Sequence, residues 1–289
     1  MTPAITVGVD GSSESLAAVD WAADEAVLRG APLRLVHAWL WQPLDVPVVQ
    51  DPEEQAKSAR GILREAETRA AARHPELRCT SEVVSDTAVA ALLREAERAE
   101  TLVLGSRGHG ALLGFLLGSY GQQVIAAASC PVVSVRVPRD GALPDSGDVL
   151  VGQQGSAADS AEVLGFAFRA AAARGAAVRA VRAWSLPSVF AYSPGSLRLA
   201  DEAGGLVQYE EKALREALAP WRDRFPDVPV IEHVELGSGG QVLLAAAPGA
   251  RLLVVGRRAR RAPVGARIGS VAHAVLHHAP CPVAVVPHA

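Results

Sequence analysis

The sequence predicts an α/β protein made of two tandem, open, parallel five-stranded sheets with helices on both faces, packed as a pseudo-dimer. Three observations carry this. Short apolar runs such as Leu33–Trp39 and Thr101–Leu104 alternate with longer helical segments, the pattern of buried parallel strands joined by crossover helices. A glycine-rich stretch from Gly105 to Ser119 follows one such run and precedes a helix. That strand, loop and helix recur once, half a chain later, so the 289 residues hold a duplicated domain and no solenoid.

The elements follow in order. Ile5–Val9 is strand one, and Asp10-Gly-Ser-Ser13 is a turn rich in N-cap residues. A helix from about Glu14 to Arg29 ends at Gly30, a glycine C-cap. Leu33–Trp39 is strand two. Leu40 to Pro52, with three prolines, is a loop or lid. A charged amphipathic helix spans Glu53 to Arg73, strand three Cys79 to Val84, a short helix Ala88 to Glu97. Strand four is Thr101–Leu104, a helix runs from Gly118 to Ala128, and Pro131–Val137 is strand five. The alternation implies right-handed crossovers. Ligands in such sheets bind beyond the carboxyl ends of the strands, where strand order reverses. Asp10, Ala38 and Gly105 all fall at carboxyl ends.

The first domain is residues 1–139, a Pro/Gly/Asp/Ser-rich linker covers 140–148, and the second domain is 149–289. The copies match position by position. Gly155-Ser156 repeats Gly11-Ser12, Gly175 repeats Gly30, Ala183-Trp184 repeats Ala38-Trp39, and Gly269-Ser270 repeats Gly118-Ser119. Cys281-Pro282 repeats Cys130-Pro131, and Gly237–Gly240 stands for Asp86–Val89. The loop after the second domain's strand two, Ser185 to Gly205, is longer still.

Glycines let backbone N–H groups approach an anion, and a helix start adds free donors and a favourable dipole. Strand, glycine loop and helix therefore form a phosphate cradle, though a glycine loop alone also reads as a surface turn. The loop lacks the lysine of a Walker A motif, and Gly105, Gly108 and Gly118 are spaced too openly for the dinucleotide fingerprint.

Gly105-x2-Gly108-x9-Gly118-Ser119 resembles the nucleotide-binding motif of the universal stress protein family in its tandem form, whose fold is Rossmann-like and related to the adenine nucleotide α-hydrolases. The resemblance covers nearly the whole chain and implies ATP. It implies backbone N–H groups of Gly105, Gly108 and Gly118 and the Ser119 hydroxyl on the phosphates. It places Asp10 on the ribose or a metal-bound water, and backbone around Ala38 on the adenine edge. With no lysine present, Mg2+ and Arg107 are left to neutralise the phosphates. Asp10 also reads as a helix-capping aspartate, and Ser119 as an N-cap serine. Trp39 and Trp184 read equally as walls for adenine or as core.

The second domain departs from the pattern. Gln154 replaces Asp10 and Ala259 replaces the second glycine, while Arg257, Arg258, Arg260 and Arg261 crowd the loop. Its counterparts Ala183, Gly256, Gly269 and Ser270 form a weaker expected site. His109, inside the first loop, and the pair His277-His278 are assigned no function.

A net charge of −3 gives no reason to expect nucleic acid, and no run is long and apolar enough for a membrane span. Three cysteines form no metal spacing and no even disulfide framework. With no leader pattern at Met1, cytoplasm is the expected compartment. No catalytic residue and no protein metal site is assigned. The expected function is an ATP-binding stress-response regulator whose occupancy controls conformation or partner binding, with a protein partner not named by the sequence. A homodimer beyond the pseudo-dimer is one further expectation. A slow ATPase and a nucleotide-free scaffold are the alternatives. An enzyme fits less well, since only Asp10 or His109 offers a base beside the loop and no arginine finger is evident.

Overall fold

The computed structural model describes residues 3–39, 52–106, 119–136, 146–185, 205–258 and 268–288. The chain divides into two compact units, the first within Met1–Ala142 and the second within Leu143–Arg261 and Gly269–Ala289. Unit 1 runs β1 (Ala4–Gly8), α1 (Ser13–Arg29), β2 (Leu33–Ala38), α2 (Pro52–Arg73), β3 (Cys79–Val84), α3 (Ala88–Ala96), β4 (Ala99–Gly105), α4 (Ser119–Ala127) and β5 (Val132–Val135). Unit 2 runs β6 (Val149–Gly152), α5 (Ala161–Arg174), β7 (Val178–Trp184), α6 (Gly205–Arg224), β8 (Val230–Leu236), α7 (Gly239–Ala246), β9 (Leu252–Arg258), α8 (Ser270–His278) and β10 (Val283–His288). The expected loops after β2 and β7 lie almost wholly outside the described residues.

Within unit 1 the strand order is β3-β2-β1-β4-β5, and within unit 2 it is β8-β7-β6-β9-β10. Every one of these neighbouring pairs is parallel. The two units thus repeat one topology, with β1 and β6 as central strands from which the order runs both ways. A parallel strand buries both faces, which is why these strands read as unbroken apolar runs. Ile5, Val7, Leu33, Leu35, Leu102 and Val103 in unit 1, and Val149, Leu150 and Val151 in unit 2, have no exposed surface. Burying each such side chain contributes roughly 1.5–3 kcal/mol.

α1 covers β1 and β4 and packs on α2, while α3 packs on α4. Alanines at 18, 22, 23 and 26 line the buried side of α1, so helix and sheet approach closely. The ends of α1 are set by sequence. The Ser12 hydroxyl accepts the Ser15 N–H, and Gly30 takes the left-handed conformation (φ 62°) with its N–H to Ala26 and Val27 carbonyls. Thr87 and Ser238 cap α3 and α7 in the same way. Two bidentate pairs tie α2 to α1: Arg69 with Asp20, and Arg73 with Asp24, at 2.6–2.7 Å.

β4 begins at Ala99, two residues before the apolar run suggested. The two added strand residues include Glu100, whose carboxylate takes a 2.9 Å bond from Arg29, itself bonded to the buried Glu25. A hydropathy pattern does not register a strand residue whose partner is a charge on another element.

Candidate functional site

The mouth of unit 1 lies where β1 ends between β2 and β4, with Gly8 in register with Val36 on one side and Leu104 on the other. That register brings Asp10, Ala38 and Gly105 to adjacent strand ends. Arg107, Gly108 and Gly118 lie outside the described residues; Ser119 is the first residue of α4.

Asp10 is exposed in the turn between β1 and α1. Its Oδ1 accepts the Ser12 N–H at 2.9 Å and the Ser12 hydroxyl, while its own N–H reaches Ser15 Oγ at 3.4 Å. The carboxylate is therefore fixed by its own turn, with Gly11 at φ 81° making the bend. The capping and ligand readings of Asp10 are compatible, because a carboxylate has acceptor capacity beyond two bonds.

Gly105 has a reason to be glycine that the sequence did not show. A Cβ there would lie 2.4 Å from the backbone carbonyl of Glu14 and 2.6 Å from the Ser15 nitrogen. The end of β4 thus runs against the first turn of α1, independent of any ligand. The next residue, Ser106, was also missed. It is 2% exposed and its hydroxyl has no hydrogen-bond partner among the described residues. A buried orphan hydroxyl is costly, and this one stands at the root of the glycine loop.

Along β2, the Val36 carbonyl accepts from the Val9 N–H at 2.9 Å, whereas the Trp39 N–H donates to Val84 on β3. Since parallel strands alternate direction every residue, the Ala38 N–H and C=O face the β1 side, one step past the last β1 bond. They face the mouth. His37 Nδ1 lies 2.7 Å from the Val9 carbonyl. Trp39 lines a groove with Leu63 and Arg64 of α2 and Ser81 and Val83 of β3.

In unit 2, Ala183 lies one residue before the end of β7, Gly256 two residues before the end of β9, and Gly269 and Ser270 at the start of α8, but its mouth is built otherwise. Arg182 Nη1 donates to Gln153 Oε1 at 2.6 Å and to the Gly155 carbonyl at 3.0 Å, and its Nε donates to Glu210 Oε2 at 2.5 Å. Gln153 Nε2 donates to the same Gly155 carbonyl and to Ser160 Oγ. A Cβ on Gly256 would meet the His288 ring at 2.9 Å, a side chain where Gly105 meets backbone. The Asp159 carboxyl is held below the usual range by the Ser156 N–H and hydroxyl, with Arg258 and His288 adding attraction. Gly269 is the N-cap of α8 and offers no side chain to it. On α8, His277 is buried against His273 one turn away, with ring centroids 4.3 Å apart.

Among the described residues no group of three or more His, Cys, Asp or Glu is placed to hold a metal, and no helix is long and apolar enough to cross a membrane. The three cysteines are free thiols.

Two units, each of five parallel strands in one shared order and each bearing a glycine at or near the carboxyl end of the strand beside its centre, define a tandem α/β protein of the Rossmann-like kind. The chain belongs to the universal stress protein family, whose model matches residues 1–136 and again residues 147–287. It is 37% identical to universal stress protein Rv2005c of Mycobacterium tuberculosis, with 97% of this chain and 96% of that one aligned. It is 34% identical to universal stress protein Rv2623 of the same organism, over 97% and 95%. A crystal structure of a universal stress protein from Archaeoglobus fulgidus superposes with a TM-score of 0.71 at 18% identity, covering 99% of this chain and 98% of that one, and so shares the fold.

Proposed function

We propose that unit 1 binds ATP with Mg2+ and that occupancy, rather than turnover, is the regulatory state of this stress protein. The observation that carries this reading is the convergence of Asp10, the inward-facing backbone of Ala38 and the glycine-loop root at Gly105–Ser106 on one switch point. The donor set suits a triphosphate. Ser106 brings a buried hydroxyl with no described partner, and α4 starts at Ser119 with the free N–H groups and dipole of a helix N-terminus. In this reading Gly105, Gly108, Gly118 and Ser119 hold the phosphates, Arg107 adds charge, Asp10 orients the ribose or a metal-bound water, and Ala38 reads the adenine edge. Mg2+ would share the phosphate charge while keeping most of its waters, which asks for one carboxylate and no protein cage.

Each charge-assisted bond is worth roughly 1.5–3 kcal/mol. Ligand at about a thousand times its dissociation constant would stabilise the fold by roughly 4 kcal/mol. Binding would therefore change the stability of the unit by an amount a partner could sense. The test is calorimetric titration of ATP·Mg2+ into wild type and Asp10→Ala, alongside identification of any nucleotide released on denaturing fresh protein and a phosphate-release assay. Binding weakened about tenfold or more by Asp10→Ala, with negligible phosphate release, is expected. An ATP-indifferent wild type purified without nucleotide would leave an interaction scaffold.

A further inference from the structure

Three of the differences between the two mouths are coordinated. Val9 and Gln153 are equivalent, since their N–H groups bond Val36 and Val181 in turn, at 2.9 Å each. His37 and Arg182 follow those acceptors along their strands. Ala59 and Glu210 stand at one position of α2 and α6, equally far from the closing residues Arg73 and Arg224. In unit 1 this spot carries no charged pair: Val9 and Ala59 are 4% and 2% exposed, and the His37 ring turns back on the Val9 carbonyl at 2.7 Å. In unit 2 it is filled by a guanidinium between an amide, a backbone carbonyl and a carboxylate.

We infer that Arg182, held by Glu210 and Gln153, is a latch that bars nucleotide from unit 2 and makes unit 1 the sole nucleotide site of the chain. The inference rests on the proposed site of unit 1. Arg182 precedes Ala183, the counterpart of the adenine-reading Ala38. Its guanidinium ends on Gly155, the counterpart of Gly11 beside Asp10. It therefore spans the two segments that, in unit 1, take the base and the ribose. The side chains of Arg182 and Glu210 are only 13% and 17% exposed. A nucleotide entering here displaces the cation and leaves the largely buried carboxylate of Glu210, on α6, without it, a penalty that weakens binding about a hundredfold or more. The other departures act differently. Gln154 is exposed and swaps a carboxylate for an amide of longer reach, so it lowers affinity without occupying the mouth.

The test restores the unit 1 residues in unit 2: Gln153→Val with Arg182→His and Glu210→Ala, titrated with ATP·Mg2+ in the full chain. The expected stoichiometry rises from one to two, and the added site persists when Asp10→Ala is also present. Two sites in wild type would overturn the latch and leave the unit 1 reading standing. A variant that keeps the wild-type stoichiometry would overturn it as well. If wild type binds none, the unit 1 reading fails, and gain or no gain in the variant still decides for or against the latch. Should the triple variant not fold by circular dichroism, Arg182→Met, which removes the donors but keeps an unbranched chain, carries the same expectation.

Discussion

The backbone of Gly105 lies against the backbone of Glu14, so closely that a Cβ on Gly105 would sit 2.4 Å from the Glu14 carbonyl carbon and oxygen. Neither partner can rotate away, since one belongs to β4 and the other to the first turn of α1. The equivalent glycine of unit 2 faces side chains instead, the His288 ring at 2.9 Å and a Val163 methyl at 3.0 Å. The same residue type at the same position thus answers to different constraints in the two copies.

Gly105→Ala should therefore cost about 2–3 kcal/mol, because strand and helix must part. Gly256→Ala should cost less, about 1 kcal/mol, as the His288 ring and Val163 methyl that it meets are side chains, which can shift where backbone cannot. Urea midpoints of the two variants, without added nucleotide, would measure this; equal losses would mean that the α1 contact is not what demands glycine at 105.

Asp24 makes stability depend on acid. Burial alone would raise its carboxyl, but the hydrogen bonds from Arg73 and His74 outweigh it and hold the group below its ordinary 3.8. A carboxyl depressed in the folded state contributes fully above its unfolded pKa and loses that contribution as pH falls through the folded one. The stability gap between wild type and Asp24→Asn should be open at pH 5–7 and close below about pH 4. A gap unchanged at pH 3 would show that the pair carries no linkage.

The thiols should be inert. Burial pushes Cys79 and Cys130 up to about 11 and Cys281 up to about 12. At pH 7.4 roughly one thiol in a few thousand, or fewer, is thiolate. Reaction with an aromatic disulfide reagent should be slow in the native protein and rapid in urea, with Cys79, the partly exposed one, leading as pH rises. Fast native labelling at neutral pH would contradict the burial of these groups.

Much of this was legible beforehand because it is local. The apolar runs named the strands, Ser12 and Gly30 marked the ends of α1, and the duplication of the glycine loop with its flanking strand and helix named the family. What stayed hidden depends on which chain segment meets which. Nothing near Gly105 announces Glu14, and nothing beside Arg182 announces Glu210. Aligning the copies element by element, with the offset growing from 144 at β1 to 151 at α2, would have flagged Val9, His37 and Ala59 against Gln153, Arg182 and Glu210, but only the packing shows that the three replacements touch.

By itself the sequence determined the kind of fold, its doubling, and the strand ends at which Asp10, Ala38 and Gly105 would stand, since periodicity, capping and repeat spacing are short-range properties. Tertiary structure alone decided the strand order that gathers those ends. It also decided the backbone contact that makes Gly105 obligatory and the ion pair that fills the second mouth. The reason is physical: a helix or strand is written in neighbours along the chain, whereas a pocket is open or filled according to side chains brought together from segments far apart.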